Sequence, residues 1–182
     1  MEDILLEKSN LRKEMLASRA AIPSELKEQY DLAINVQLQD WITLHQPKVV
    51  HCYLPMGAEI DITPSILFCL SKDIKIIAPK TLKQRKLENR ILNSLDQVEN
   101  GIWGTVHPTG ELYEGPIDMI IVPGLAYDEH RYRLGYGGGY YDNFLVQYPE
   151  AKKIGVFYLM QKRNAVPKER HDISLDLIFT EQ

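Results

Sequence analysis

The chain has 182 residues, 45% of them hydrophobic and 25% charged, with a formal net charge of −4. This is the size of one domain with a sizeable core and the composition of a soluble globular protein, not a disordered one. The acidic balance argues against a protein held on nucleic acid by bulk electrostatics, and no apolar run approaches the ~18 residues that span a bilayer. The opening Met1-Glu2-Asp3-Ile4 lacks the basic start and apolar core of a secretion signal. No nucleic-acid or membrane partner is expected, and a cytoplasmic location is the default. Cys52 and Cys69 sit among apolar neighbours and read as small buried hydrophobes rather than a disulfide or a metal site.

Residues 3 to 20 read as a helix with Ile4, Leu5, Leu11, Met15 and Leu16 as an approximate apolar face. Lys8 and Arg12, four apart, stand on one face, which is unfavourable unless something anionic lies opposite. The plainer reading is a solvated face neutralised by Glu7 and Glu14. Ile22-Pro23-Ser24 ends this helix, and Ser24 is the expected N-cap of a second helix running to about Thr43. Its inward residues are predicted to be Leu26, Tyr30, Ile34, Leu38 and Trp41.

Lys48 to Tyr53 predicts a buried strand, followed by a loop from Leu54 to Asp61 and a helix from about Thr63 to Ser71. Ligands of an open α/β sheet gather at the carboxyl ends of strands, where this loop lies. Asp61 reads as helix-entry chemistry, since acids favour a first turn. Glu59 stays open between that role and a ligand contact. A second strand is expected over Asp73 to Ala78. Segment 81–116 is irregular, with a basic run (Lys83, Arg85, Lys86, Arg90) and a strand and turn within Ile91 to Val98. That run reads as a solvated face, with approach to a polyanion as the alternative. Further strands are expected at Ile117 to Val122, Lys153 to Tyr158 and Leu175 to Thr180. Strands alternating with helices predict a layered α/β fold with a mostly parallel sheet, one domain over residues 1–182.

The most informative stretch is Arg133-Leu134-Gly135-Tyr136-Gly137-Gly138-Gly139-Tyr140-Tyr141-Asp142, which holds four of the eleven glycines. Glycine admits φ > 0 and close approach to bare N–H groups, and a helix expected over Tyr140 to Val146 would add unpaired donors, so the pattern suits a phosphate. Arg133 supplies a fixed charge and Asp142 a hard oxygen. The alternative is an aromatic-packed turn. The loop matches neither G-x-x-x-x-G-K-[ST] nor G-x-G-x-x-G, the five histidines have no metal-ligand spacing, and no G-x-S-x-G is present. Phosphate chemistry with Lys and Arg as positioners, and a carboxylate holding Mg²⁺, is what remains. His171-Asp172 offers a second carboxylate or a plain turn before the last strand.

Val122-Pro123-Gly124-Leu125-Ala126-Tyr127-Asp128 followed by the glycine-rich stretch closely resembles the signature of the 5-formyltetrahydrofolate cyclo-ligase family. Lys8-x-x-Leu11-Arg12, Tyr53-Leu54-Pro55-Met56 to Glu59-Ile60, and Pro167, His171-Asp172, Leu175-Asp176 to Thr180-Glu181 follow in the family's order, so the likeness covers nearly the whole chain. The resemblance implies a three-layer α/β/α fold with a mostly parallel sheet, similar to the NagB/RpiA/CoA-transferase group. It implies a monomeric enzyme that uses ATP and Mg²⁺ to convert 5-formyltetrahydrofolate to 5,10-methenyltetrahydrofolate, releasing ADP and phosphate. It places ATP on Lys8, Ser9, Asn10, Leu11 and Arg12 and on Arg133, Leu134, Gly135, Tyr136, Gly137, Gly138, Gly139, Tyr140 and Tyr141. The folate falls to Leu54, Glu59, Tyr136, Gly137, Gly138, Gly139 and Tyr140, and Mg²⁺ to Asp142 and Asp172. Lys8 and Arg133 are the implied catalytic pair.

Two departures stand out. The family often has a glycine in the turn after Tyr127-Asp128, where this chain has His130-Arg131-Tyr132, and an arginine there disfavours φ > 0. Asn143 follows Asp142 where a basic residue is common. Two other readings are a non-catalytic nucleotide- or RNA-binding relative, supported by the basic run, and a sugar-phosphate isomerase-like enzyme, for which no motif is present.

Overall fold

Short runs of β-branched residues form the central sheet because their stiff side chains pack well on a pleated surface. The structure is a computed structural model that describes residues 2–169 and 172–182, with the backbone alone for Glu2; His171 lies outside the described residues. In chain order come α1 (Glu2–Ala20), α2 (Ser24–His45), β1 (Val49–His51), α3 (Thr63–Ser71), β2 (Lys75–Thr81), β3 (Leu87–Leu92), β4 (Val98–Asn100), β5 (Val106–Pro108) and β6 (Met119–Val122). β7 (Ala126–Tyr127), β8 (Arg133–Leu134), α4 (Tyr140–Leu145), β9 (Lys152–Val156) and β10 (Leu177–Phe179) complete it. The main sheet runs β10-β9-β6-β1-β2-β3, parallel at every pairing except the antiparallel β2–β3 hairpin. β4–β5 and β7–β8 are separate two-stranded ribbons.

Both faces of the parallel sheet are covered, as its near-continuous apolar strands require. Val50, Met119, Ile121, Ile154 and Val156 join Ile34, Leu38 and Ile42 of α2 and Ile66 of α3. Their alternating neighbours Val49, Ile120 and Val122 join Phe144 and Leu145 of α4. The mixed α/β fold expected from the sequence is therefore present, with helices on both sides. The chain steps from β1 to β2 on one side and returns to β6 on the other. The order thus reverses between β1 and β6, and the loops leaving these strands part at their carboxyl ends to leave a crevice.

Several local expectations are corrected. Leu5 and Leu16 of α1 are exposed; its inward stripe is Lys8, Leu11, Arg12, Met15 and Arg19, three cations among two apolar residues. Pro23, not Ser24, is the cap of α2, with no side-chain cap bond, because Pro23 has the extended backbone and Ser24 is already helical. Leu26 is exposed, and Ile42 carries the inward face further. β3 begins at Leu87 rather than Ile91. It carries Glu88 and Arg90, which hide its strand pattern, and its outer edge is covered by residues 111–113, with the Ile91 N–H donating to the Glu111 carbonyl and the Tyr113 N–H to the Asn89 carbonyl, each at 2.9 Å.

The turn between β7 and β8 keeps its tight shape in spite of lacking glycine. Arg131 has φ +63°, in the left-handed region. Asp128 enforces it: its carboxylate accepts the Tyr132 N–H at 3.0 Å and the Val166 N–H at 3.0 Å, while its carbonyl accepts the Arg131 N–H at 2.9 Å. A non-glycine residue held there costs ~1–2 kcal/mol, part of which glycine would return through the entropy of the unfolded chain. Arg131→Gly should therefore raise stability by about 0.5–1 kcal/mol in urea unfolding. An unchanged or lower midpoint would show that the turn is unstrained.

Candidate active site

The polar site lies at the β1/β6 crevice, where α1, the loop after β1 and the glycine-rich loop meet. Lys8, Arg12 and Arg19 are spaced by four and seven residues, so all three face inward from one side of α1. Lys8 is 5% exposed, and its Nζ bonds Glu169 Oε2 and Asp172 Oδ2, each at 2.9 Å. Burial alone would lower the Lys8 pKa, but the hydrogen bonds and charges of Asp172 and Glu169 together outweigh it and raise it. Arg12 donates from Nε to the Gly135 carbonyl at 2.9 Å. Its pKa is lowered by burial, against the charges of Asp172 and Glu169. Neither cation is answered by the local acids: Glu7 is exposed, and Glu14 pairs with Arg163 at 2.7 Å.

The ends of the glycine-rich loop are joined to each other. Arg133 Nη2 meets Asp142 Oδ1 at 3.1 Å, Arg133 Nη1 donates to the Ile173 carbonyl at 3.0 Å, and the Ile173 N–H approaches the same Asp142 oxygen at 3.4 Å. This brings Asp142 close to the segment that carries Asp172. Gly137, at φ +101°, passes so close to Arg12 that a Cβ there would lie 3.1 Å from the guanidinium carbon. Gly139, at φ +67°, turns the chain into α4. That helix has only six residues, so it aligns few peptide dipoles, and the positive charge beside the loop comes from Lys8, Arg12 and Arg133. The Tyr140 hydroxyl donates to the Leu82 carbonyl at 3.0 Å, and Arg85 lies against Gly139, so the β2–β3 hairpin braces the loop. The rest of the basic run disperses: Arg90 pairs with Glu88 at 2.6 Å, and Lys83 lines a separate cavity of about 460 Å³ with Lys80, Glu99 and His107.

At the other end, Glu59 is buried in the loop after β1, with Oε2 accepting the Met56 N–H at 2.9 Å. Burial raises its pKa, against the Tyr136 hydroxyl, the Met56 N–H and the Arg19 charge. The Tyr136 hydroxyl also accepts from Arg19 Nη2. Tyr136 itself is nearly half exposed. The remaining residues singled out by sequence fall around this centre. Ser9 is half-buried and Asn10 exposed, on other sides of α1, while Leu11 and Leu134 pack in an apolar cluster with Met15 and Leu125. Leu54 packs on the α2–α3 side. Gly138 sits against the Tyr140 ring, and Tyr141 lies over His51 with ring centroids 6.1 Å apart.

Among the described residues no group of three or more His, Cys, Asp or Glu could hold a metal ion. The two carboxylates that the family resemblance assigns to a metal, Asp142 and Asp172, lie on different segments. That suits an ion such as Mg²⁺, which keeps most of its water and takes its other ligands from phosphate oxygens. Two residues of the site escaped the sequence reading. Arg19 was legible as the next cation on the Lys8–Arg12 face; Glu169 had no local signal. His51 and the Tyr141 hydroxyl beneath the loop have no hydrogen-bond partner.

A mostly parallel α/β sheet whose carboxyl edge gathers a glycine-rich loop, four cations (Lys8, Arg12, Arg19 and Arg133) and four carboxylates (Glu59, Asp142, Glu169 and Asp172) defines an α/β protein with a strongly charged cluster at that edge. The sequence matches the model of the 5-formyltetrahydrofolate cyclo-ligase family over residues 5–181. It is 29% identical over 181 residues to a 5-formyltetrahydrofolate cyclo-ligase of Mycoplasma pneumoniae, covering 97% of this chain and all of the relative. A probable 5-formyltetrahydrofolate cyclo-ligase of Schizosaccharomyces pombe is 26% identical, with 96% of this chain and 95% of the relative covered. The solved 5,10-methenyltetrahydrofolate synthetase of Aquifex aeolicus superposes with a TM-score of 0.83 at 31% identity, covering 96% of this chain and 90% of its own. The corresponding Mycoplasma pneumoniae structure gives a TM-score of 0.81 at 26% identity, over 97% and 99% of the two chains. The chain belongs to the 5-formyltetrahydrofolate cyclo-ligase family, a family of ligase enzymes.

Burial lowers the His51 pKa from 6.5 to about 3. As pH falls below 6.5 the unfolded chain therefore takes up a proton that folded His51 refuses until about pH 3, and stability drops across that window. The single group contributes up to roughly 1.4 kcal/mol per pH unit. His51→Leu should lose correspondingly less stability between pH 7 and pH 4.5 in urea unfolding; equal losses in the two proteins would refute the neutral, buried state of His51.

Proposed function

We propose that the protein converts 5-formyltetrahydrofolate to 5,10-methenyltetrahydrofolate with ATP as phosphoryl donor and Mg²⁺ as its metal. The observation that carries this reading is the docking of the α1 cations on the glycine loop, Arg12 Nε to Gly135 O at 2.9 Å beside Lys8 and Arg133, in a chain of this family. The formyl group on N5 is an amide, and its oxygen is a poor leaving group. Transfer of the γ-phosphoryl group to that oxygen releases ADP and makes the formyl carbon electrophilic. N10 then attacks this carbon, the C–O bond breaks to release phosphate, and N10 gives up its proton as the ring closes.

Phosphoryl transfer asks the protein for positioning and charge rather than covalent chemistry. Lys8, Arg12 and Arg133 would face the phosphates, with backbone N–H groups of the glycine loop between them. Lys8 is held in wait by Glu169 and Asp172, a pairing that a phosphate group would replace. Asp142 and Asp172 would hold Mg²⁺, which would supply charge neutralisation at the phosphates. Glu59 would accept hydrogen bonds from the donor edge of the folate ring, for which a carboxylate suits two parallel bonds. Leu11, Leu134 and Leu54 would shape the walls, while Ser9 and Asn10, on other sides of α1, would stand outside them. All of these groups come from one chain, so a monomer suffices. No helix among the described residues is long and apolar enough to cross a membrane. The unbridged Cys52 and Cys69 suit the reducing cytoplasm.

Purified protein given ATP, Mg²⁺ and 5-formyltetrahydrofolate should generate the methenyl chromophore together with ADP, and substrate turnover that ignores ATP would refute the reading. Asp142→Asn, which keeps an oxygen for Arg133, should lower kcat by about a hundredfold or more while unfolding at a similar midpoint. Undiminished turnover of this variant at every Mg²⁺ concentration would remove Asp142 from the metal site.

A further inference from the structure

We propose that Arg19 is a positioning residue for the folate ring: it fixes the Tyr136 hydroxyl beside the Glu59 carboxylate, so that the carboxylate meets the ring correctly turned. The inference rests on the reading of Glu59 as the folate anchor and adds a residue which neither the family signature nor its motifs marked. Arg19 lies on α1 eleven positions beyond Lys8, three turns along the same face, and is 5% exposed.

Its guanidinium holds two segments at once. Nη2 donates to the Tyr136 hydroxyl, Nη1 reaches the Gly124 carbonyl in the turn after β6 at 3.5 Å, and the guanidinium carbon stands 5.6 Å from the Tyr136 ring centroid. The Tyr136 hydroxyl, having accepted from a cation, lies close enough to the Glu59 carboxylate to interact with it. Each bond in such a chain polarises the next in a dry site, so a cation at one end strengthens the phenol's hold on the carboxylate at the other. Arg19 Nε is buried without a partner. An unsatisfied buried donor is costly, and a mere helix-to-sheet tie could be made without one.

The arrangement also has an open side. Tyr136 is nearly half exposed although its hydroxyl is held by Arg19, so part of the residue remains open to a ligand. The groups around Glu59 are the Met56 N–H of its own loop, Tyr53 after β1, Tyr136 of the glycine loop, Tyr141 of α4 and Arg19 of α1. Of these only Arg19 is a cation. Removing it leaves burial to push Glu59 further toward the protonated form, which donates rather than accepts and cannot take two bonds from the ring.

The test compares the wild type with R19Q, R19K and Y136F in steady-state assays that vary folate and ATP separately across pH. R19Q should raise KM for the folate about tenfold and leave KM for ATP within about twofold. It should also move the acid limb of kcat/KM for the folate to higher pH, with R19K recovering part of both effects. Y136F should move the limb in the same direction. Equal rises in both KM values with a stationary limb would reduce Arg19 to a structural tie and overturn the proposal, as would R19Q behaving like the wild type. If R19Q fails to fold, R19K and Y136F decide the question. If the wild type has no turnover, the functional reading fails by itself; Arg19 is then judged by ¹³C titration of the Glu59 carboxyl, whose midpoint should rise in R19K and Y136F and whose constancy would overturn the inference.

Discussion

Three cations on the inward face of α1 set the terms for much of this molecule. A buried ammonium or guanidinium must be paired or hydrogen-bonded, since an uncompensated buried charge costs about 3–5 kcal/mol. The partners come from remote sequence: Glu169 and Asp172 for Lys8, the Gly135 carbonyl for Arg12, Tyr136 and the Gly124 carbonyl for Arg19. The N-terminal helix is therefore fastened to the carboxyl edge of the sheet by polar bonds as much as by the small apolar cluster around Met15. The same bonds that seat the helix aim its charges at the crevice.

The glycine loop is the counterpart of that helix. Arg133 and Asp142, nine positions apart, close it into a ring by an ion pair, while Tyr136 and Tyr140 tie its middle to Glu59 and to the Leu82 carbonyl. Glycines at φ +101° and +67° let the backbone follow this path, and the first of them, Gly137, keeps room for the Arg12 guanidinium. A loop fixed at its ends, with only glycine over residues 137–139, would present N–H groups without further ordering, which is what preorganised electrostatic stabilisation needs. Two of the carboxylates that balance the cations here, Asp142 and Asp172, are the groups proposed for the metal. Binding a nucleotide would then be an exchange of partners within a nearly neutral cluster rather than the creation of new buried charge.

The layered α/β fold was legible because β-branched runs alternate with helical patterns, and α3 was read with its observed bounds because Thr63-Pro64 marks a helix start. The strand β3 was obscured by the charged Glu88 and Arg90 within it, and the cap of α2 by a serine one position inside the helix. α1 was misread more instructively. Its leucines suggested an apolar stripe, yet Leu5 and Leu16 face solvent because the inward positions are reserved for Lys8, Arg12 and Arg19. The glycine stretch pointed to the site, but its closure by Arg133 and Asp142, the grip of Glu169 on Lys8 and the Arg19–Tyr136–Glu59 chain are contacts between distant segments that periodicity and spacing do not encode. At Arg131 composition suggested a changed turn, whereas Asp128 preserves the left-handed backbone at a cost in strain.

The central claim is that the cationic stripe of α1 is the phosphate-facing wall of the site. Calorimetric titration of ATP into the wild type and into Arg12→Gln, both with Mg²⁺, tests it most directly. The account predicts that the variant binds ATP more weakly by about tenfold or more while keeping its folded structure; equal affinity in the two proteins would contradict it.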